Sequence, residues 1–401
     1  MQLTRLLHKT FENELVHIHK KRLNALFTAV SALTIYSSVT LTALGRNIQS
    51  KAQVRSNIKK MDRLLGNHHL WNERESIYAL MAHRLIGADS RALIHVDWSC
   101  ICAQTKLYLL RASLCMSGRS IVLYEECHTK KGENNHCVHK AFLRKLKGIL
   151  PQTVKPIIVT DAGFRAPWFD YITTLGWDFV GRLRNKNLIV FDGKKKGCLG
   201  CDLYPLATPV PTCLGQGKLT EKRQVPANIV LYSTSPKNRH KYNINKKVSR
   251  SGKSKLHSKS HREPWLLVTS LDNKSVAYAA VAIYRQRMRI EENFRDTKSA
   301  RYGLGLSDSL SRCPKRMNIL LLICAIASFA AWIAGVTAKE SGIAHTFQAH
   351  SAKISNAIST VFLGREALKK RFAITAAQFR RGLLLLYNMA VQTRDEVYTY
   401  A

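Results

Sequence analysis

Tyr284, Arg287, Glu291 and Lys298 punctuate the stretch YRQRMRIEENFRDTK and offer a phenol, two cations and a carboxylate. On one continuous helix, at about 100° per residue, these positions fall within an arc of about 60°. Ile283, Ile290 and Phe294 form a separate apolar stripe suited to a core. A carboxylate flanked by cations on a half-buried helix suits a metal-bound phosphate. An ordinary amphipathic helix laced with ion pairs has the same pattern, so the stripe needs partners before it means chemistry. Glu292 adjoins Glu291 but lies about 80° from Tyr284, beside Arg285, Arg289 and Asp296, which leaves Glu291 as the acid of the stripe.

Two further acids stand out by position. Asp97 closes the run LIHVD and Asp161 closes PIIVTD, each read as an apolar strand ending in an acid. Side chains at such ends project into a crevice at the sheet edge. A lone strand-end Asp is commonly a turn residue or a helix cap. Three carboxylates at one end of a mixed sheet, however, make an oxygen-rich site for Mg²⁺, with Mn²⁺ as the substitute. Two such ions about 4 Å apart activate a water or a 3′-hydroxyl and stabilise the leaving oxygen at phosphorus.

The charge balance points to the partner. Lys and Arg number 63 against 26 Asp and Glu, a formal net charge of +37. That surplus implies a polyanion, nucleic acid first, bound with a steep salt dependence. A hydrophobic fraction of 46% excludes wholesale disorder. The ten cysteines have no repeating frame and fit a reducing cytoplasm better than a secreted scaffold. Cys198 and Cys201 form a single CxxC with no second pair, and the Cys127-His128 and His136-Cys137-His139 groupings sit too close in sequence to converge readily on one ion. The first 25 residues do not read as a signal peptide. Residues 319–336 are nearly all apolar, at the lower edge of membrane-spanning length, but Cys324, Ser328 and Gly335 interrupt them. A buried core helix is the better reading, with no membrane partner.

The elements that must position these groups follow from periodicity. Residues 1–85 read as helical and basic. Two short helices broken near residues 45–50 resemble a helix-turn-helix, with Lys51, Arg55, Lys59 and Lys60 available for phosphates. From residue 86 to 183 the order is strand, hairpin at Ser117-Gly118-Arg119, helix, strand, helix, strand, which is α/β mixed-sheet order. Residues 184–262 read as a mostly β insertion carrying a basic loop. Between Pro236 and Arg262 there are ten Lys or Arg and no acid. Residues 263–336 resume with a strand from Trp265 and the helix of the opening stripe, and 337–401 are helical.

The spacing Tyr284-x2-Arg287-x3-Glu291-x6-Lys298 resembles the Y-R-E-K signature of the insertion-sequence-four family of bacterial DDE transposases. VDWS around Asp97 and IIVTDAGF around Asp161 resemble that family's other two blocks, and the likeness runs over nearly the whole chain. The resemblance implies a ribonuclease-H-like core with a β insertion, a helical N-terminal domain for the transposon end, and a C-terminal region that pairs protomers. It implies Asp97, Asp161 and Glu291 as ligands of two metal ions, and Tyr284, Arg287 and Lys298 as holders of phosphates. Trp265 takes the place of an aromatic that stacks on a flipped base, or else is a core tryptophan. Arg182 and Arg184 match a basic pair facing DNA. The expected partners are inverted-repeat end DNA, target DNA and a second copy in a synaptic homodimer. Two other readings stay open: a DNA-binding protein without catalysis, and a structure-specific nuclease.

Overall fold

A computed structural model describes residues 2–399 apart from 89, 103, 186, 234–246, 250, 253, 255–262 and 348–357. The architecture is mixed α/β. It divides into two compact units, 1–156 with 288–395 and 157–287 with 396–401.

The first unit opens with five helices, α1 (Leu3–Glu14), α2 (Lys20–Tyr36), α3 (Leu41–Arg46), α4 (Val54–Leu65) and α5 (His68–His83). α3 and α4 cross closely because Gly45 has no side chain: a Cβ there would lie 2.6 Å from the Ile58 Cα. Ser50 donates to Asn57 Oδ1 at 3.0 Å and ties the intervening turn to α4. α4 buries Asn57, Met61, Leu64 and Leu65 and leaves Lys51, just before it, with Arg55 and Lys59 exposed.

Three antiparallel strands follow, β1 (Leu93–Cys102), β2 (Leu107–Met116) and β3 (Arg119–Thr129), with β2 central. The hairpin turns at Gly118, whose φ of +70° suits glycine. β1 corrects an expectation. The strand does not end at Asp97 but runs on to Cys102, so Asp97 sits in mid-strand opposite Arg111. Trp98 to Cys100 still pair with Leu110 to Tyr108, and that pairing carries the strand past its apolar run.

α6 (His136–Ile149) follows β3, and the unit is completed by α9 (Met288–Lys298), α10 (Pro314–Glu340), α11 (Thr360–Lys369) and α12 (Ala376–Thr399), the last largely within it. α10 is long and apolar enough to cross a membrane, but 94% of its apolar window is buried inside the protein. It packs against α2, α4, α5, α11 and β3 as a core helix. Its seam with α11 is built on glycine: a Cβ at Gly364 would meet the Ala331 carbonyl oxygen at 1.7 Å, and one at Gly335 the Thr360 carbonyl oxygen at 2.0 Å.

The second unit is a sheet in the order β4-β5-β10-β9-β8-β6-β7. Its strands are β4 (Ile157–Thr160), β5 (Asp178–Leu183), β6 (Leu188–Phe191), β7 (Cys198–Leu199), β8 (Thr212–Leu219), β9 (Val225–Tyr232) and β10 (Trp265–Thr269), with helices α7 (Ala166–Thr174) and α8 (Val276–Arg285). β4 and β5 are parallel, joined through α7, whereas β10 is antiparallel to β5 and to β9. The β strands of residues 188–232 therefore extend this sheet through β9. Most of the basic run of residues 236–262 lies outside the described residues.

The stretch Tyr284–Lys298 is not one helix. α8 ends at Arg285, Gln286 and Arg287 form a turn, and α9 starts at Met288. Gln286 N and Arg287 N close tight three-residue bonds to the carbonyls of Ile283 and Tyr284. The single-helix stripe is thereby overturned, although Ile283, Ile290 and Phe294 are all buried as their apolar spacing required.

Candidate active site

In the first unit the chemistry gathers where α9 lies on β1, β2 and β3. Asp97 is 8% exposed, and its Oδ1 accepts from the Trp98 amide at 2.8 Å. Alternation along a strand puts Asp97, Ser99 and the opposed Arg111 on one face and Trp98 on the other. α9 covers the Asp97 face. Lys298 Nζ, half-buried, donates to Ser99 Oγ at 2.8 Å and to the Cys100 carbonyl at 3.2 Å. Burial first, and then the charge of Arg111, hold the Lys298 ammonium below its ordinary pKa. Glu291 is exposed, seven residues before Lys298 on the same flank of α9. Its neighbour Glu292 is engaged elsewhere, paired with Arg119 at 3.5 Å and with Arg295.

A polar network unforeseen from sequence lies beneath. Arg111 and Glu125 are both 0% exposed, and Arg111 Nε donates to Glu125 Oε2 at 2.7 Å. Arg111 Nη1 donates to Asn293 Oδ1 at 2.6 Å and to Thr297 Oγ1 at 3.1 Å, both on α9. Burial raises the Glu125 carboxyl pKa against the opposing pull of Arg111. No local pattern announces this, because Arg111 and Asn293 are 182 residues apart.

On the opposite face of β1, Trp98 Nε1 donates to His139 Nε2 at 2.9 Å. Burial, helped by His128 and His136, lowers the His139 pKa to about 4. Glu126 accepts from Lys145 at 2.6 Å and from Arg74 at 3.1 Å. Among the described residues no three His, Cys, Asp or Glu side chains form a metal-binding group, the His-Cys groupings included.

In the second unit Asp161 follows β4 directly, and its Oδ1 accepts from Gly163 N at 2.8 Å. Tyr284 is 5% exposed and meets Trp265 edge-on, ring centroids 4.9 Å apart. Burial raises the pKa of its phenol, Arg287 and Arg182 lower it, and Asp161 raises it, so the hydroxyl stands among these groups. Trp265, half-buried at the start of β10, also meets Tyr232, whose hydroxyl accepts from Arg285 at 2.5 Å. Arg182 departs from the expectation of a side chain facing DNA. It is buried and donates to the carbonyls of Glu263 and Pro264, both at 3.2 Å, so it holds the approach to Trp265. Arg184 is partly exposed and pairs with Glu263 at 3.4 Å.

Asp97, Glu291 and Lys298 thus belong to one unit, and Asp161, Tyr284, Arg287, Trp265, Arg182 and Arg184 to the other. Lys51, Arg55 and Lys59 stand apart at α4, which packs on α2, α3 and α10. The three acids offer oxygen donors only, the set that suits a hard divalent cation.

Residues 93–329, more than half the chain, match the family model described as a transposase DDE domain. No curated protein matches the chain.

Proposed function

The chain belongs to the transposase DDE-domain family, and on that premise we propose that it carries out cut-and-paste transposition of a bacterial insertion sequence. Within the family we assign it to the insertion-sequence-four group, on the side of the insertion-sequence-ten transposase. The observation that carries the reading is the seating of α9, with Glu291 and Lys298, on the strand face that bears Asp97.

In this proposal Asp97 and Glu291 from the first unit and Asp161 from the second supply carboxylates to two Mg²⁺ ions, or Mn²⁺ in their place. Bound there, divalent metal supplies Lewis-acid stabilisation of charge at phosphorus and lowers the pKa of attacking water. The side chains do the rest. Lys298, Arg287 and Tyr284 hold the phosphate of the transposon end, and Lys298 is already oriented by Ser99. Water attacks the end phosphorus, the bond to the 3′-oxygen breaks, and the freed 3′-hydroxyl becomes the next nucleophile. It attacks the phosphorus of the opposite strand and displaces the 3′-oxygen of the flanking DNA, closing a hairpin. Water opens the hairpin at that phosphorus and regenerates the 3′-hydroxyl, which attacks a target phosphorus and displaces a target 3′-oxygen. Trp265 stacks on the base displaced by the hairpin, with Tyr284 and Tyr232 supporting its ring. Arg184 adds positive charge beside it, and Arg182 steadies the backbone.

We assign end recognition to residues 1–85 through Lys51, Arg55 and Lys59, and core segments to 86–183 and 263–336 around the insertion 184–262. Residues 337–401 pair protomers in a synaptic homodimer. The enzyme would work in the bacterial cytoplasm. The test is cleavage of a plasmid bearing the DNA that flanks the reading frame. Wild type should nick it in Mg²⁺, then join the cut end to a second DNA. Asp97→Asn, Asp161→Asn and Glu291→Gln should bind the ends and cut nothing. Cutting without joining would favour a nuclease, and binding without cutting a non-catalytic protein.

A further inference from the structure

We propose that Arg111 is a positioning residue, one that fixes the helix bearing Glu291 to the strand bearing Asp97. The proposal rests on the transposase reading of those two acids. Arg111 faces Asp97 directly across the β1–β2 ladder, so their side chains share a face at close range. One edge of its guanidinium is held by Glu125 on β3, and Nη1 reaches Asn293 and Thr297 on α9. A single buried side chain therefore joins the two elements that carry proposed metal ligands.

Energetics argue that this pair does not exist for stability. Burying each ion costs several kcal/mol, which the mutual attraction seldom exceeds by much, and apolar replacements often stabilise as well or better. α9 already buries Ile290 and Phe294 for that purpose. What apolar contacts lack is direction: they let a helix slide or turn at little cost. Hydrogen bonds to Asn293 and Thr297 set both its height and its rotation. Other directional bonds to the same strands share the task. Asn293 Nδ2 donates to the Ser120 carbonyl at 3.0 Å, Ser120 Oγ to the Arg289 carbonyl at 3.2 Å, and Arg119 Nε to Asp296 Oδ2 at 3.1 Å. A reacting constellation must be held to about 0.5 Å, and a displacement of about 1 Å can cost about 10²-fold in rate. Glu291, two residues before Asn293, inherits its position from this anchor.

The experiment replaces the ion pair by apolar residues, Arg111→Met with Glu125→Leu, in the full chain. Positioning predicts a folded protein whose urea midpoint equals or exceeds that of wild type. Mn²⁺ binding to the metal-free protein, followed by calorimetry, should weaken about 10-fold or more. Cleavage of the plasmid with gene-flanking DNA should fall about 100-fold, with binding of that DNA unchanged. Wild-type Mn²⁺ affinity and cleavage in the folded double variant would overturn the proposal. Should that variant not fold, Thr297→Val decides, since it removes one acceptor and keeps the shape. It should lose about 3- to 10-fold in both readouts and Thr297→Ser should recover them; an unchanged Thr297→Val also overturns the proposal. If instead Asp97→Asn and Glu291→Gln leave Mn²⁺ binding and cleavage intact, the transposase reading itself falls, and this inference with it.

Discussion

Glu292 is paired with Arg119 across 3.5 Å, on the side of α9 that meets β3. Glu291, the preceding residue, is exposed on the flank it shares with Lys298. Two adjacent glutamates thus have separate occupations. Glu291→Gln is expected to lower plasmid cleavage by about 10³-fold or more, several kcal/mol of lost charge stabilisation. Glu292→Gln should stay within about threefold and lose under about 1 kcal/mol of stability, because its partners are partly exposed. Side-by-side cleavage rates in Mg²⁺ check both, and equal losses would remove the distinction.

Arg55 and Lys59 project from the exposed side of α4. If each meets one phosphate, the plot of log binding constant against log salt should flatten by about 0.9 for each residue changed to Ala. Fluorescence anisotropy with a gene-flanking duplex at four salt concentrations measures it. An unchanged slope would take α4 off the DNA.

His139 accepts from Trp98, so its Nε2 is unprotonated in the fold, with the pKa lowered to about 4 by burial. The unfolded chain takes up the proton nearer pH 6.5. The contribution is therefore complete above about pH 6.5 and is lost as pH falls toward 4, by at most about 3 kcal/mol. Urea midpoints between pH 7 and 4.5 should fall more steeply for wild type than for His139→Gln, which keeps an acceptor. Parallel curves would contradict this origin.

Gly364→Ala places a methyl group where a carbonyl oxygen stands 1.7 Å away, so α10 and α11 must part. A loss of about 3 kcal/mol is expected, at the upper end for overpacking. The urea midpoint of the purified variant tests it, and a wild-type midpoint would mean that the seam yields freely.

Much of the hairpin and of the strand preceding Asp161 was legible because alternation, apolar runs and Gly118 are local signals. The turn at Gln286 and Arg287 was not. Neither residue breaks helices, and the interruption falls where the chain passes from one compact unit to the other. The Glu291 choice rested on a stripe that this turn dissolves, and the pairing of Glu292 with Arg119 supplies a different reason for it. Asp97 read as a strand end because its apolar run stops there, whereas ladder bonds with β2 continue the strand. The Arg111 anchor was invisible because a buried ion pair depends on contacts far apart in sequence.

The first unit is discontinuous in sequence, and this bears on how the protein is made. α2, α4 and α5 are synthesised early, yet the apolar helix they pack against, α10, begins only at Pro314. The ribosome must therefore deliver residues 157–287 of the second unit before the first can close. A product terminated before residue 314 would lack α10, one of the helices against which the basic α4 packs. Early termination would leave the core of the first unit open, with α2, α4 and α5 each missing a packing partner.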